Sequence, residues 1–232
     1  MPSEFLHRLF VRARAILRNR GFLRRRRKSA PRREFHISSI DEIKQRLEEI
    51  PEDMRPIDQL LRVAGLLVLA MEGQGLRPIV VGGAAVAIYT ERSMSTGDID
   101  FVVQGARYAA IDCLKALGFV RGLSAGVWWY SRLNIPVEVP SAQLEGDPSR
   151  VREIDIGDGL KAFVIGIEDL ILDRTEQACA QDSPSSDVRY QAILLLASYW
   201  EQLDWDYLRT ESDRRDIRVY FEKLVEKARK AR

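Results

Sequence analysis

Ile79-Val80-Val81-Gly82-Gly83-Ala84-Ala85 and, after a polar loop, Asp98-Ile99-Asp100-Phe101-Val102-Val103 are the two short stretches on which the reading of this chain turns. In the first, an apolar run led in by Pro78 ends at two glycines, and small residues follow. That is the pattern of a buried strand stopped by a turn and continued as a helix, here expected over 84–90. A helix N-terminus presents free N–H groups and the positive end of its dipole, which suits phosphate. Gly82-Gly83 therefore fits a phosphate cradle. It fits a tight turn with close helix–strand packing equally well. Neither the Walker A pattern nor GxGxxG is present, so the P-loop and dinucleotide-fold readings fail.

In the second stretch, strand alternation puts Asp98 and Asp100 on one face and Ile99, Phe101 and Val103 on the other. Two neighbouring carboxylates repel unless a cation lies between them, so the pair is a candidate site for a divalent metal. Two solvated aspartates at a strand start would look the same. Pro136-Val137-Glu138-Val139 sets one carboxylate in an apolar strand. If that strand lies beside the first, Glu138 completes a cluster of three; otherwise it is a Glu on a solvated sheet face.

Composition narrows the chemistry. The chain has 232 residues, enough for one sizeable core with a helical extension. His7 and His36 are its only histidines, which sets aside a histidine-rich zinc site. Any metal is expected on oxygen ligands, as magnesium or manganese. Cys113 and Cys179 have no CxxC partner, which fits a reducing, cytoplasmic compartment. No apolar run approaches the roughly 20 residues of a membrane span.

Charge is distributed unevenly. Residues 1–34 carry 12 Lys or Arg against 2 Glu, a charge of +10, which leaves the remainder of the chain at −8. Phe5, Leu6, Leu9, Phe10, Ala13, Ile16 and Leu17 recur at helical spacing among arginines, which predicts a basic amphipathic helix over 5–17. The run 24–28 repels itself and is expected to be unstructured. No apolar segment precedes it, so no secretory signal is expected. The arm has three readings: a binder of RNA phosphates, an organellar presequence, or a tolerated extension.

The expected organisation is a basic arm over 1–34, an α/β core with N-terminal helices over 35–166, and a helical region over 167–232. Ser38 or Ser39 caps a helix near Ile40. A second, largely buried helix spans 57–72. Strands are expected over 79–81, 98–103, 127–132, 135–139, 153–156 and 160–164, and helices over 107–117 and 167–180. From Val188 the chain reads as helical to its end. Trp128, Trp129, Trp200, Trp205 and Tyr207 read as packing residues rather than base-stacking ones.

Taken in order, Ile79 to Gly83, Tyr89, Arg92, Thr96 and Asp98-Ile99-Asp100-Phe101 resemble the nucleotidyltransferase superfamily that includes DNA polymerase beta. The nearest likeness is to its small prokaryotic members, among them AbiEii-type toxins and minimal nucleotidyltransferases. The resemblance covers about 57–175. It implies a mixed sheet flanked by helices (α+β), with a helical C-terminal extension. It further implies that Gly82 and Gly83 bind the triphosphate and that Asp98, Asp100 and Glu138 are catalytic and bind Mg2+ (or Mn2+). Arg92, Thr96 and Arg174 are further nucleotide-binding candidates. Many relatives carry a Lys shortly after the segment matched by Asp169-Leu170-Ile171, where this chain reads Asp173-Arg174. The implied activity is nucleotide transfer from an NTP to a hydroxyl on RNA, protein or a small molecule, in a toxin- or defence-related setting with an antitoxin partner. The alternative is a non-catalytic nucleotide- or nucleic-acid-binding protein that retains the fold.

Overall fold

The computed structural model describes residues 39–124, 126–181 and 187–232. The basic arm over 1–34 and its expected helix lie outside the described residues, as does most of the Pro/Ser loop, 182–186. The described chain divides into two compact units, one made of 39–88 and 95–165, the other of 89–94 and 166–232.

The first unit opens with α1 (Ile40–Glu48). Its cap is reciprocal: the Glu42 amide donates to the Ser39 hydroxyl at 3.2 Å, and the Ser39 amide donates to the Glu42 carboxylate at 2.8 Å. This capping box satisfies two amides that the helix cannot bond itself. Helix α2 (Pro56–Glu72) starts on a proline, whose missing N–H costs nothing in the first turn. From Leu60 to Met71 nearly every side chain is buried, because α2 packs against the sheet.

The sheet contains β1 (Pro78–Val81), β2 (Ile99–Val103), β3 (Val120–Arg121), β4 (Val127–Tyr130), β5 (Ile135–Glu138), β6 (Arg152–Gly157) and β7 (Leu160–Val164). Helix α3 (Gly82–Tyr89) follows β1, and α4 (Arg107–Ala116) follows β2. The strand order is β3-β4-β5-β2-β1-β7-β6. The β1/β2, β3/β4, β4/β5 and β6/β7 pairs are antiparallel, while β1/β7 and β2/β5 are parallel. This is the mixed, helix-flanked sheet expected of the chain.

Strand ends follow turn chemistry. Asn134, with φ +52°, precedes β5, and Gly157-Asp158-Gly159, all at positive φ, turn β6 into β7. Strand β3 has only two residues, both exposed, and nothing in the sequence announced it. The second strand begins at Ile99 rather than at Asp98.

The second unit is helical. It contains α5 (Ile167–Gln181), α6 (Asp187–Tyr199), α7 (Trp205–Arg214) and α8 (Arg218–Lys230), with a short 3-10 turn at Trp200–Gln202. The stretch expected to be helical from Val188 is divided into three helices with two breaks between them. The first break is the 3-10 turn after Tyr199, and Asp204 then caps α7, accepting from the Tyr207 amide at 3.0 Å. Asp216, at φ +56°, bends the chain between α7 and α8. Every residue from Gln191 to Tyr199 is buried, the mark of a central helix. Buried carboxylates on α5 are satisfied: Asp169 accepts from the Tyr207 hydroxyl at 2.6 Å, and Glu168 from the Asp204 amide at 3.2 Å. Among the described residues no helix is long and apolar enough to cross a membrane.

Candidate active site

The site is built where β1 ends. Gly82 has φ +63°, a conformation that L side chains rarely adopt, and it turns the strand directly into α3. A Cβ added at Gly82 would land on the Asp100 carboxylate, and one added at Gly83 would land on the Thr96 hydroxyl. The two glycines therefore let two polar side chains lie against the start of a helix. Unbonded amides at such a start attract negative charge.

Strand pairing supplies the rest. Val81 pairs with Asp100 across β1/β2, and Asp100 pairs with Glu138 across β2/β5. Paired residues on adjacent strands stand about 5 Å apart and project to the same face. Asp100 and Glu138 are both half-buried, while their neighbours Ile99, Phe101, Val137 and Val139 are completely buried. Alternation thus sends the apolar side chains into the core and the carboxylates to the opposite face.

Asp98 sits just ahead of β2, half-buried, and its carboxylate accepts a hydrogen bond from the Thr96 hydroxyl at 2.7 Å. Thr96, a candidate nucleotide contact, thus lies beside Asp98 and bonds it. Among the described residues, no three acidic, His or Cys side chains stand close enough to hold one metal ion among them. The expected cluster is therefore present as an in-register pair, Asp100 and Glu138, with Asp98 two residues upstream, and not as a closed ligand set. Carboxylates repel at close range, which is the ordinary reason for such spacing. The donors are oxygens only, a set that suits magnesium or manganese rather than zinc.

The remaining candidates belong to the helical unit. Arg92 lies in a turn closed by the Ser93 amide on the Thr90 carbonyl at 2.9 Å and the Met94 amide on the Thr90 hydroxyl at 3.3 Å. Arg174 is nearly buried and donates twice to Asp173, at 2.8 and 2.5 Å. The departure Asp173-Arg174 is thus an internal ion pair, each residue offsetting the other's charge.

One contributor escaped the sequence reading. The Arg107 side chain donates from Nε to the Val139 carbonyl at 2.7 Å and so tethers the chain just past Glu138. The signal was available. A cation in the first turn of a helix opposes the dipole, and α4 has no acidic residue there, so Arg107 needed another reason for its place.

No curated protein matches the chain. The solution structure of the antibiotic-resistance factor ANT(2'')-Ia is similar, with 18% identity and a TM-score of 0.47, over 64% of this chain and 88% of that one. The assignment rests instead on a family match. The model of the family described as "Nucleotidyltransferase of unknown function (DUF6036)" matches residues 58–224, from α2 through the sheet and into α8. That span is well over half of the chain and contains the glycine turn and all three carboxylates. The chain belongs to this family of nucleotidyltransferases.

Proposed function

We propose that the protein moves a nucleotide from a nucleoside triphosphate to a hydroxyl acceptor, with Mg2+ or Mn2+ drawing Asp98, Asp100 and Glu138 together as its ligands. In this reading the Gly82-Gly83 backbone at the start of α3 holds the triphosphate. The observation that carries it is the in-register pair Asp100 and Glu138 beside a glycine turn that admits no side chain.

The bound cation would supply charge neutralisation on the phosphates and a better leaving group. The acceptor oxygen attacks the α-phosphorus, the bond from that phosphorus to the bridging oxygen breaks, and pyrophosphate leaves. In this reading the hydroxyl proton passes to Glu138 or Asp100. Thr96 keeps one oxygen of Asp98 occupied and leaves the other for ligation. The core beneath, led by Phe101 and Val137, holds both strands still, so that catalysis is positioning and electrostatics. Only the sheet unit enters this reading. The resemblance to AbiEii-type toxins extends the proposal to a toxin-like cytoplasmic enzyme with a protein antitoxin.

The test uses the full chain with α-labelled NTPs, magnesium and mixed acceptors. Label is expected to transfer to an acceptor or to the protein itself. Chelating the metal is expected to stop it. Asp98→Ala/Asp100→Ala is expected to lower the rate by at least roughly a hundredfold to a thousandfold, the cost of losing preorganised charge at a transition state. Transfer that continues undiminished in that variant would end this reading.

A further inference from the structure

Five cations line a groove of about 750 Å³ on the helical unit: Arg189 from α6, and Arg218, Lys223, Lys227 and Lys230 from α8. Two acidic side chains, Glu222 and Glu226, share the lining. Their charge is already engaged. Arg218 pairs with Asp213 at 2.7 Å and with Glu222 at 3.0 Å, and Glu226 pairs with Arg229 at 2.9 Å and Lys230 at 3.2 Å. Lys223 and Lys227 have no acidic partner among the described residues.

That arrangement costs the free protein something. Residues four apart on a helix are neighbours, about 5–6 Å between Cβ atoms, and like charges there destabilise by a few tenths of a kcal/mol. Positions 219, 223, 226, 227 and 230 also fall on one helical stripe. Val219 stands 74% exposed on it, and the half-buried Tyr220 joins the lining. A cationic groove with an aromatic ring alongside is the chemistry that holds single strands: ammonium groups take phosphates, and the ring takes a base. Unpaired bases are offered chiefly by the loops and ends of RNA.

We propose that this groove binds single-stranded RNA, with Lys223 and Lys227 on neighbouring phosphates and Tyr220 against a base. As a binding site, the groove does not rest on the transferase reading above.

The test is fluorescence anisotropy of the full chain with a labelled single-stranded RNA of about a dozen nucleotides, within the range one binding module covers, titrated across salt. Lys223→Glu/Lys227→Glu is expected to weaken binding at least roughly tenfold and to reduce the salt slope by about 1.4, the value for two phosphate contacts on a single strand. Lys223→Gln/Lys227→Gln keeps helix-forming side chains and is expected to lower the slope likewise, which guards against a folding defect. Tyr220→Ala is expected to weaken binding with the slope unchanged. The basic arm is present in every variant, so its contribution cancels. Unchanged affinity and slope in both lysine variants overturn the proposal, as does equal or tighter binding of a duplex RNA or of single-stranded DNA. Asp98→Ala/Asp100→Ala is expected to bind RNA like the wild type.

Discussion

The two charged regions of this molecule are built in opposite ways. The acidic one, Asp98, Asp100 and Glu138, rests on backbone: a glycine turn, a strand register and a core of completely buried side chains. The basic one, chiefly on α8, rests mainly on helical periodicity and stands at the surface. The first tolerates almost no change of shape, because a single methyl would displace a carboxylate. The second depends on charge and is indifferent to shape. Chemistry that must place a phosphorus atom needs the first kind of construction, and recognition of a flexible polymer is served by the second.

This contrast is broken most sharply at Gly82. Gly82→Ala adds a Cβ at positive φ that also lands on Asp100. The variant is expected to lose about 1–3 kcal/mol of stability, read by denaturant unfolding, and most of its transfer activity. A Gly82→Ala protein with wild-type stability and turnover would show that the acidic region is not built on shape after all.

A smaller effect separates Gly83 from Thr96. Gly83→Ala meets the Thr96 hydroxyl, and Thr96→Val removes the hydrogen bond to Asp98. Thr96→Val is expected to lower turnover roughly tenfold with little change in NTP affinity, the loss of one positioned hydrogen bond being worth about 1 kcal/mol or more. Thr96→Ser is expected to retain most activity, because the donor survives. Gly83→Ala/Thr96→Gly, which removes both close atoms of Thr96, is expected to cost less stability than Gly83→Ala alone plus Thr96→Gly alone, because neighbours are not additive. Strict additivity in that cycle would separate the two residues.

The smallest effect sharpens the basic side of the comparison. Lys223→Gln is expected to leave thermal unfolding unchanged or raise stability by about 0.2–0.5 kcal/mol, through relief of the pair with Lys227. A loss of more than about 1 kcal/mol would mean that Lys223 holds the fold, as Gly82 does, and the contrast would fail.

Much of the fold was legible because its signals are local. Ser39 and Glu42 announced a cap, Asn134 and Gly157-Asp158-Gly159 announced turns, and apolar alternation announced β2, β5 and β7. Strand β3 was not legible: two exposed residues have no period to read, and only pairing with β4 makes them a strand. The helical C-terminal region was legible, but its breaks were not, because Asp204 and Asp216 are ordinary helix-surface residues until a cap or a left-handed backbone gives them work. The candidate site residues stood out as types and spacings, while the partners that they have within the protein did not. Thr96 read as a nucleotide contact and bonds Asp98; Arg174 read as a phosphate cation and is paired with Asp173.

The amino-acid order alone determined the strand-glycine-helix turn at Gly82, the Asp-x-Asp spacing of Asp98 and Asp100 at the start of a strand, and the isolated Glu138 in an apolar strand, since each follows from neighbours a few residues away. Tertiary structure alone decided that β5 lies beside β2 with Glu138 level with Asp100, and that Arg107 reaches the Val139 carbonyl. Such choices join residues separated by tens of positions. Their energy comes from burying whole faces and satisfying backbone groups, a sum over the sheet that no local pattern contains.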